Sequence, residues 1–280
     1  MKKRNPYLFA ILPLYIFTFL FILGPIIYMV VISFLTNHGS LGYSWDFTFA
    51  NYIKLFDKVY FRTFTKSLSI AFFSTLLTII IGYPFGFWMS GLSAKGRKLM
   101  MLSLVLPFGI NSLIRLYGWI IILQSKGILN NVLLSLHIIK EPLKILYSYP
   151  AVLIGMVYAL LPFMIFSIYS SAVKLDLSLL DAARDLGANR VITFLTVSFP
   201  LTLPGLFAGI ILTFVPSMGL FFIADILGGN KVVLVGSLIQ DQMTRGSNWP
   251  FAAAIAVALT LITSVLLYFN KIISAKDGGQ

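Results

Sequence analysis

The sequence predicts an all-α integral membrane protein with six transmembrane helices, and three observations carry that prediction. Of 280 residues, 59% are hydrophobic and 11% charged, against roughly 25% charged in a soluble domain. Mean hydropathy is +0.93. The apolar residues gather into six runs, each long enough to cross about 30 Å of hydrocarbon, which takes roughly 20 helical residues. These runs lie at about 9–34, 67–90, 99–123, 150–172, 203–226 and 250–272. Residues 1–280 read as a single transmembrane domain.

In chain order, Met1-Lys2-Lys3-Arg4 is a basic start, followed by an apolar stretch from Tyr7 to Leu35. A signal peptide has a shorter apolar core and a small-residue cleavage site, so this run is expected to remain as the first span. Between the first two spans, Tyr52, Leu55, Phe56 and Val59 recur at helical spacing, with Lys54, Asp57 and Lys58 among them. Segment 38–66 is therefore expected to hold an amphipathic helix on the outer membrane face. Gly82, Pro84, Pro107, Pro162 and Pro216 fall inside the spans, where neighbouring helices can satisfy the backbone groups they free. Segment 124–149, with Gly127 and Pro142, reads as a structured outer connection.

Orientation follows from the basic residues. The dense clusters 2–4 and 95–98 favour the cytoplasmic side, because short charged flanks at span ends count most. With an even number of spans, both termini are then expected in the cytoplasm. So is the loop at 174–200.

That loop is the one long polar stretch: Lys174 to Pro204 reads KLDLSLLDAARDLGANRVITFLTVSFPLTLP. Leu179, Leu180, Ala183 and Leu186 fall at helical spacing and are expected to form one apolar face. Ala182 and Ala183 allow close backbone approach, and Gly187 is the expected C-cap. Asn189 and Arg190 open a second helical run, expected to stop at Pro200. A short helix, a Gly turn and a second helix form a compact knob suited to another protein's groove.

The spacing Asp181-Ala182-Ala183, Gly187, Val197, Phe199, Pro200 resembles the loop of permease subunits in binding-protein-dependent ABC importers. Their motif runs Glu-Ala-Ala, three residues, Gly, nine residues, Ile, one residue, Leu-Pro. Asp181, Val197 and Phe199 depart from it in side chain and keep its spacing. The resemblance implies a type I importer permease fold and a coupling loop, carried by Asp181, Ala182, Ala183, Arg184, Gly187 and Pro200, that sits in a cleft of an ATP-hydrolysing subunit. The runs PFGINSLIRLYGWIIILQSKGILN, YSYPAVLIGMVYALLPFMIFSIYSS and PSMGLFFIADILGG narrow the likeness to the first of the two membrane subunits of bacterial spermidine/putrescine importers. That likeness implies a multi-pass protein of the bacterial inner membrane working with a second homologous permease, two ATP-binding subunits and an extracytoplasmic polyamine-binding protein. ATP and magnesium would be bound by the ATPase subunit, with no cofactor in this chain.

Two charges lie in or beside the expected spans. Arg115 is in the third, about 24 Å up from residue 99 at 1.5 Å per residue, and Asp225 ends the fifth. A charge near a helix centre costs about 2.5–3.5 kcal/mol on insertion scales, so each is expected to face a partner or a polar cavity. One reading makes them a structural ion pair. The other makes Asp225 a cation-attracting group at the outer mouth of the path and gives Arg115 a gating or structural role. Tyr117, Trp119, Phe221 and Phe222 lie nearby in sequence and are candidates for flanking an amine by cation–π contact.

The remaining function classes find little support. No Gly-x-x-x-x-Gly-Lys-Ser/Thr phosphate loop occurs, so any ATP-driven work needs a separate polypeptide. No nucleophile–base arrangement suggests an enzyme. There is no cysteine, and His38 and His137 stand alone, so no metal site is expected. The net charge of +12 is spread over short loops and suits anionic lipid rather than nucleic acid. An importer for another small solute would share the fold. A secondary transporter driven by an ion gradient would show inverted repeats and intramembrane acids; these spans carry almost no acids.

Overall fold

In a computed structural model, residues 13–39, 42–229 and 231–277 are described. The basic start at residues 2–4 and the first residues of the expected first span lie outside them. In chain order the elements are α1 (Pro13–Ser33), β1 (Leu35–Asn37), β2 (Tyr43–Phe47), α2 (Ala50–Lys54), α3 (Lys58–Ser90), α4 (Ala94–Val105), α5 (Ser112–Leu123), α6 (Ile128–Ser135), α7 (Tyr149–Ala172), α8 (Leu177–Asp185), α9 (Arg190–Gly219), α10 (Phe221–Gly228), α11 (Val235–Thr244) and α12 (Trp249–Asp277). Among the described residues, five helices are long and apolar enough to cross a membrane, and six spans result if the bent pair formed by Ala94–Gly109 and Ser112–Ser135 counts as one.

The chain gathers into two compact units: residues up to Arg62 with Leu238–Ser264, and Thr63–Ser237 with the chain from Val265 onward.

In the first unit, the segment after α1 departs from the amphipathic helix expected over 38–66. It opens with an antiparallel hairpin pairing Thr36 with Ser44 and Asn37 with Tyr43. Gly42, at φ +92°, supplies the turn conformation that side chains disfavour. The helical stretch that follows is broken at residues 55–57, between α2 and α3. Buried Asn51 is the reason: its Nδ2 donates to the carbonyls of Ser33 at 3.0 Å and Leu35 at 2.9 Å, tying α2 to the end of α1. Tyr52 adds a 2.6 Å hydroxyl contact to Ser33. Of the four residues at helical spacing, Tyr52 and Leu55 turn inward, while Phe56 and Val59 are exposed.

In the second unit, α7 is the central rod. Small residues let its neighbours close on it: a Cβ at Gly86 of α3 would lie 2.8 Å from the Ile165 carbonyl, and one at Gly205 of α9 would lie 2.5 Å from Ser171 Oγ. Without a hydrophobic drive between helices in lipid, such close approach and interhelical hydrogen bonds do the joining. Ser167 Oγ donates to the Gly205 carbonyl at 2.9 Å, and the Tyr83 and Thr202 hydroxyls meet at 2.6 Å.

Two spans differ from their expected form. The third is a helix pair bent by 97°. A 3-10 turn at Leu106–Gly109 contains Pro107, and Asn111 caps a new helix by accepting from the Leu113 N–H at 2.8 Å. The fifth runs from Arg190 to Gly219 without stopping at Pro200. A π-helical turn at Phe194–Ser198 shifts the hydrogen-bond register just before the proline, which absorbs its missing donor. The connection at 124–149 is structured, as expected. Buried Asn130 donates to the carbonyls of Gln124 and Leu143 and accepts from the Leu143 N–H.

Candidate functional site

The Lys174–Pro204 segment folds into the expected helix–turn–helix, and each of its corners is fixed locally. Asp176 caps α8, its Oδ1 accepting the Ser178 N–H at 2.9 Å. That bond holds its carboxyl below the ordinary value of 3.8. At the far end the Ala188 N–H reaches the Ala183 carbonyl at 3.0 Å and the Gly187 N–H reaches the Arg184 carbonyl at 2.8 Å. This is a Schellman pair, and Gly187 sits at φ +85° as it requires. Asn189 Oδ1 then accepts the Ile192 N–H at 2.9 Å and starts α9.

The apolar residues of the knob do not share one face. Leu180 and Ala183 are half-buried, while Leu179 is exposed and Leu186 is 90% exposed. Helical periodicity places Leu186 with Ala183, but Leu186 is the C-cap, where the chain turns outward into Gly187. Val191, Ile192 and Leu195 of α9 are also exposed. Asp181 and Arg184 pair at 3.0 Å on the open surface, a contact of little stabilising weight. Ala182 and Pro200 are exposed beside them.

The membrane-depth candidates are arranged differently from the ion pair the sequence suggested. Arg115 and Asp225 form no salt bridge, unlike Asp181 with Arg184 and Asp241 with Arg245. The Arg115 guanidinium lies over two rings, 5.0 Å from the Phe108 centroid and 5.7 Å from that of Tyr158, and its Nε is buried without an acceptor. Asp225 Oδ1 accepts a 2.8 Å hydrogen bond from the Ser237 hydroxyl. The reason is the break at Leu220, which ends α9 and starts α10, turning Asp225 toward the start of α11. Trp119 packs edge-on against Tyr158 at 5.4 Å. Phe221 and Phe222 contact each other edge-on at 6.3 Å. Trp119 and Phe222 border the apolar cluster of Leu116, Met156, Ile223 and Leu227, whereas Tyr117 is exposed.

Residues 82–276 match the model of the family described as binding-protein-dependent transport system inner membrane component. The chain belongs to this family. It is 45% identical to the spermidine/putrescine transport system permease protein PotB of Haemophilus influenzae, over 91% of each chain. It is 43% identical to the protein of that name from Escherichia coli, over 89% of this chain and 90% of that one. Its fold is similar to that of a chain in the crystal structure of a bacterial alginate ABC transporter in complex with alginate pentasaccharide-bound periplasmic protein, with a TM-score of 0.80, 18% identity and coverage of 99% and 97%. The chain is thus a multi-pass inner-membrane permease subunit of an ABC importer, with a transport rather than an enzymatic role. Membership of the family implies a partner permease, an ATPase and a binding protein.

Sequence reasoning missed three residues and misplaced a fourth. Ser237 holds Asp225, and Phe108 and Tyr158 receive Arg115; these are tertiary pairings with no signal in local spacing. The fourth, the cap position of Leu186, is one residue before the glycine already recognised as the helix end.

Proposed function

We propose that this chain, with a second homologous permease, forms the translocation path for polyamines of the spermidine/putrescine class. An extracytoplasmic binding protein delivers the substrate, and two ATP-hydrolysing subunits dock on the knob at α8 and the start of α9. Both termini and the knob lie in the cytoplasm. The observation that carries this reading is 45% identity over 91% of the chain to a protein named as a spermidine/putrescine permease. The exposed, locally capped knob supports the docking role. Asp225, on the short helix α10 that follows the break at Leu220, is an acid suited to attract a cationic substrate. Arg115, covered by rings, serves structure or gating. Tyr117, Trp119, Phe221 and Phe222 are the aromatic candidates along the path. The test is uptake of radiolabelled spermidine, putrescine and sulfate by the reconstituted complex. ATP-dependent accumulation of a polyamine without sulfate is expected; sulfate uptake, or uptake independent of ATP, would overturn the reading.

A further inference from the structure

We propose that the cleft beneath α8 binds the phosphate head group of an anionic phospholipid. The cleft measures about 800 Å³, with walls that include Phe87 and Trp88 of α3, Val173 after α7, Leu180 of α8 and Phe194 of α9. Among the described residues its one charged lining residue is Arg97, in the first turn of α4. Arg97 spends one Nη2 donor on the Leu92 carbonyl at 3.3 Å and its Nε is enclosed, so the donors it can offer to the cleft are the remaining Nη hydrogens, which take no partner among the described residues. Unspent guanidinium donors in a cleft suit an anion, and among the described residues no Asp or Glu lines the cleft to supply one. The nearest acids in sequence on α8 are committed or turned outward: Asp176 caps the helix, Asp181 pairs with Arg184, and Asp185 is exposed. With the described acids spoken for, an anion that suits Arg97 is one that enters the cleft from outside.

The walls select its source. Apart from Arg97 they are mostly aromatic and aliphatic, so they reward an anion that brings an acyl chain with it. The cleft lies where α3 ends, α4 begins and α7 ends, which is head-group depth for helices that span. Trp88 is half exposed there, as tryptophans are at membrane interfaces. Lys95 and Lys98 are exposed on the same turn as Arg97 and add to the attraction for anionic lipid. Because Leu180 and Phe194 belong to the knob itself, a seated head group braces the knob from below, and lipid charge sets how firmly it is held. That consequence rests on the docking role proposed above; the binding itself does not.

The experiment uses the full chain in nanodiscs, carrying Trp45→Phe, Trp119→Phe and Trp249→Phe so that Trp88 alone reports. Quenching by brominated phosphatidylglycerol is compared with quenching by brominated phosphatidylcholine. A preference of about fivefold for the anionic lipid is expected, the equivalent of one basic side chain meeting a phosphate. Arg97→Gln should cut the preference to the small remainder that Lys95 and Lys98 supply, and Arg97→Lys should keep most of it. Equal quenching by the two lipids overturns the proposal, as does a preference undiminished by Arg97→Gln. Relief of quenching by millimolar glycerol phosphate would mean that free phosphate suffices, and the lipid assignment would fall. If Arg97→Gln releases a co-purified ATPase while lipid preference is unchanged, the anion is a protein carboxylate and the proposal also falls. The quenching result does not depend on transport, so failure of polyamine uptake leaves it intact.

Discussion

Leu186 offers the most direct test of the docking knob, because the chain itself gives it almost nothing to pack against. It is 90% exposed and occupies the C-cap of α8, at φ −79° and ψ 7°, a conformation open to serine as well as leucine. Burying a whole leucine side chain is worth about 1.5–3 kcal/mol. If docking covers the nine-tenths that is open here, Leu186→Ser removes about 1.4–2.7 kcal/mol from assembly. At about 1.4 kcal/mol per decade, the ATPase should bind roughly ten- to a hundredfold more weakly. The permease should unfold as before, since an exposed side chain contributes within about 0.5 kcal/mol to its own fold. The assay titrates purified ATPase onto the permease in nanodiscs, with thermal unfolding of the permease alone as the control. A binding constant within about twofold of the parent, well below the smallest loss expected from the buried area, would refute the argument that this leucine is covered in the complex.

The turn, the cap and the long helix give three further tests. Gly187→Ala has open space around the new Cβ, so its cost is conformational alone, about 1–2 kcal/mol for a left-handed residue. It should lower substrate-stimulated ATP turnover, and Gly187→Pro, which also removes the N–H bonded to Arg184, should abolish that turnover without preventing insertion into the membrane. Asp176 has its carboxyl lowered by the Ser178 N–H. Its cap is therefore present at and above its ordinary value of 3.8 and is lost only as pH falls through the lowered one. Coupling in the parent should show no loss traceable to this cap between neutral pH and that range, and Asp176→Asn, which keeps an acceptor oxygen, should couple as the parent does at neutral pH. Two glycines inserted between Thr196 and Val197 should leave docking intact but separate it from uptake: ATPase still co-purifies, ATP is still hydrolysed, and polyamine accumulation is lost. Normal accumulation with the insertion would show that the helix does not carry the motion.

What was legible in the sequence was what is decided locally. Gly187 and Asn189 announce their roles because a helix end is settled within a few residues, and the structure gives both those roles. The spans are legible because composition over roughly 20 residues reports the surrounding solvent. Hydropathy does not register backbone direction, so the bend at Pro107–Asn111 is hidden inside an apolar run; its trace is Asn111, a helix-start residue in the wrong place for an unbroken span. The hairpin was obscured by competing periods. Tyr43, Trp45 and Phe47 alternate as a strand does, but Tyr52 to Val59 repeats as a helix does, and the buried Asn51 that breaks that helix looks like any polar loop residue. The partners of Arg115 and Asp225 were not legible at all. Opposite charges in an apolar stretch suggest a pair, yet the arginine found rings and the aspartate found a hydroxyl.

The continuity of α9 matters more than its content. On the sequence reading, the second loop helix ended at Pro200, and a push on the knob would have had to cross a joint to reach the membrane. In the structure the helix begins at the Asn189 cap and runs 30 residues to Gly219, about 45 Å at 1.5 Å per residue. The first break after the knob comes at Leu220, immediately before the short helix that carries Asp225. A rod of that length turns a small displacement at one end into a comparable one at the other, whereas a jointed chain would lose it at the joint. The caps have a matching purpose. A knob held by tertiary packing alone would have to loosen its own core to move, but Asp176, Gly187 and Asn189 fix its shape with bonds that travel with it. On the proposed function, the energy of ATP binding therefore enters at an exposed end whose form is set locally. It is delivered at the far end, beside the acid best placed to meet a cation.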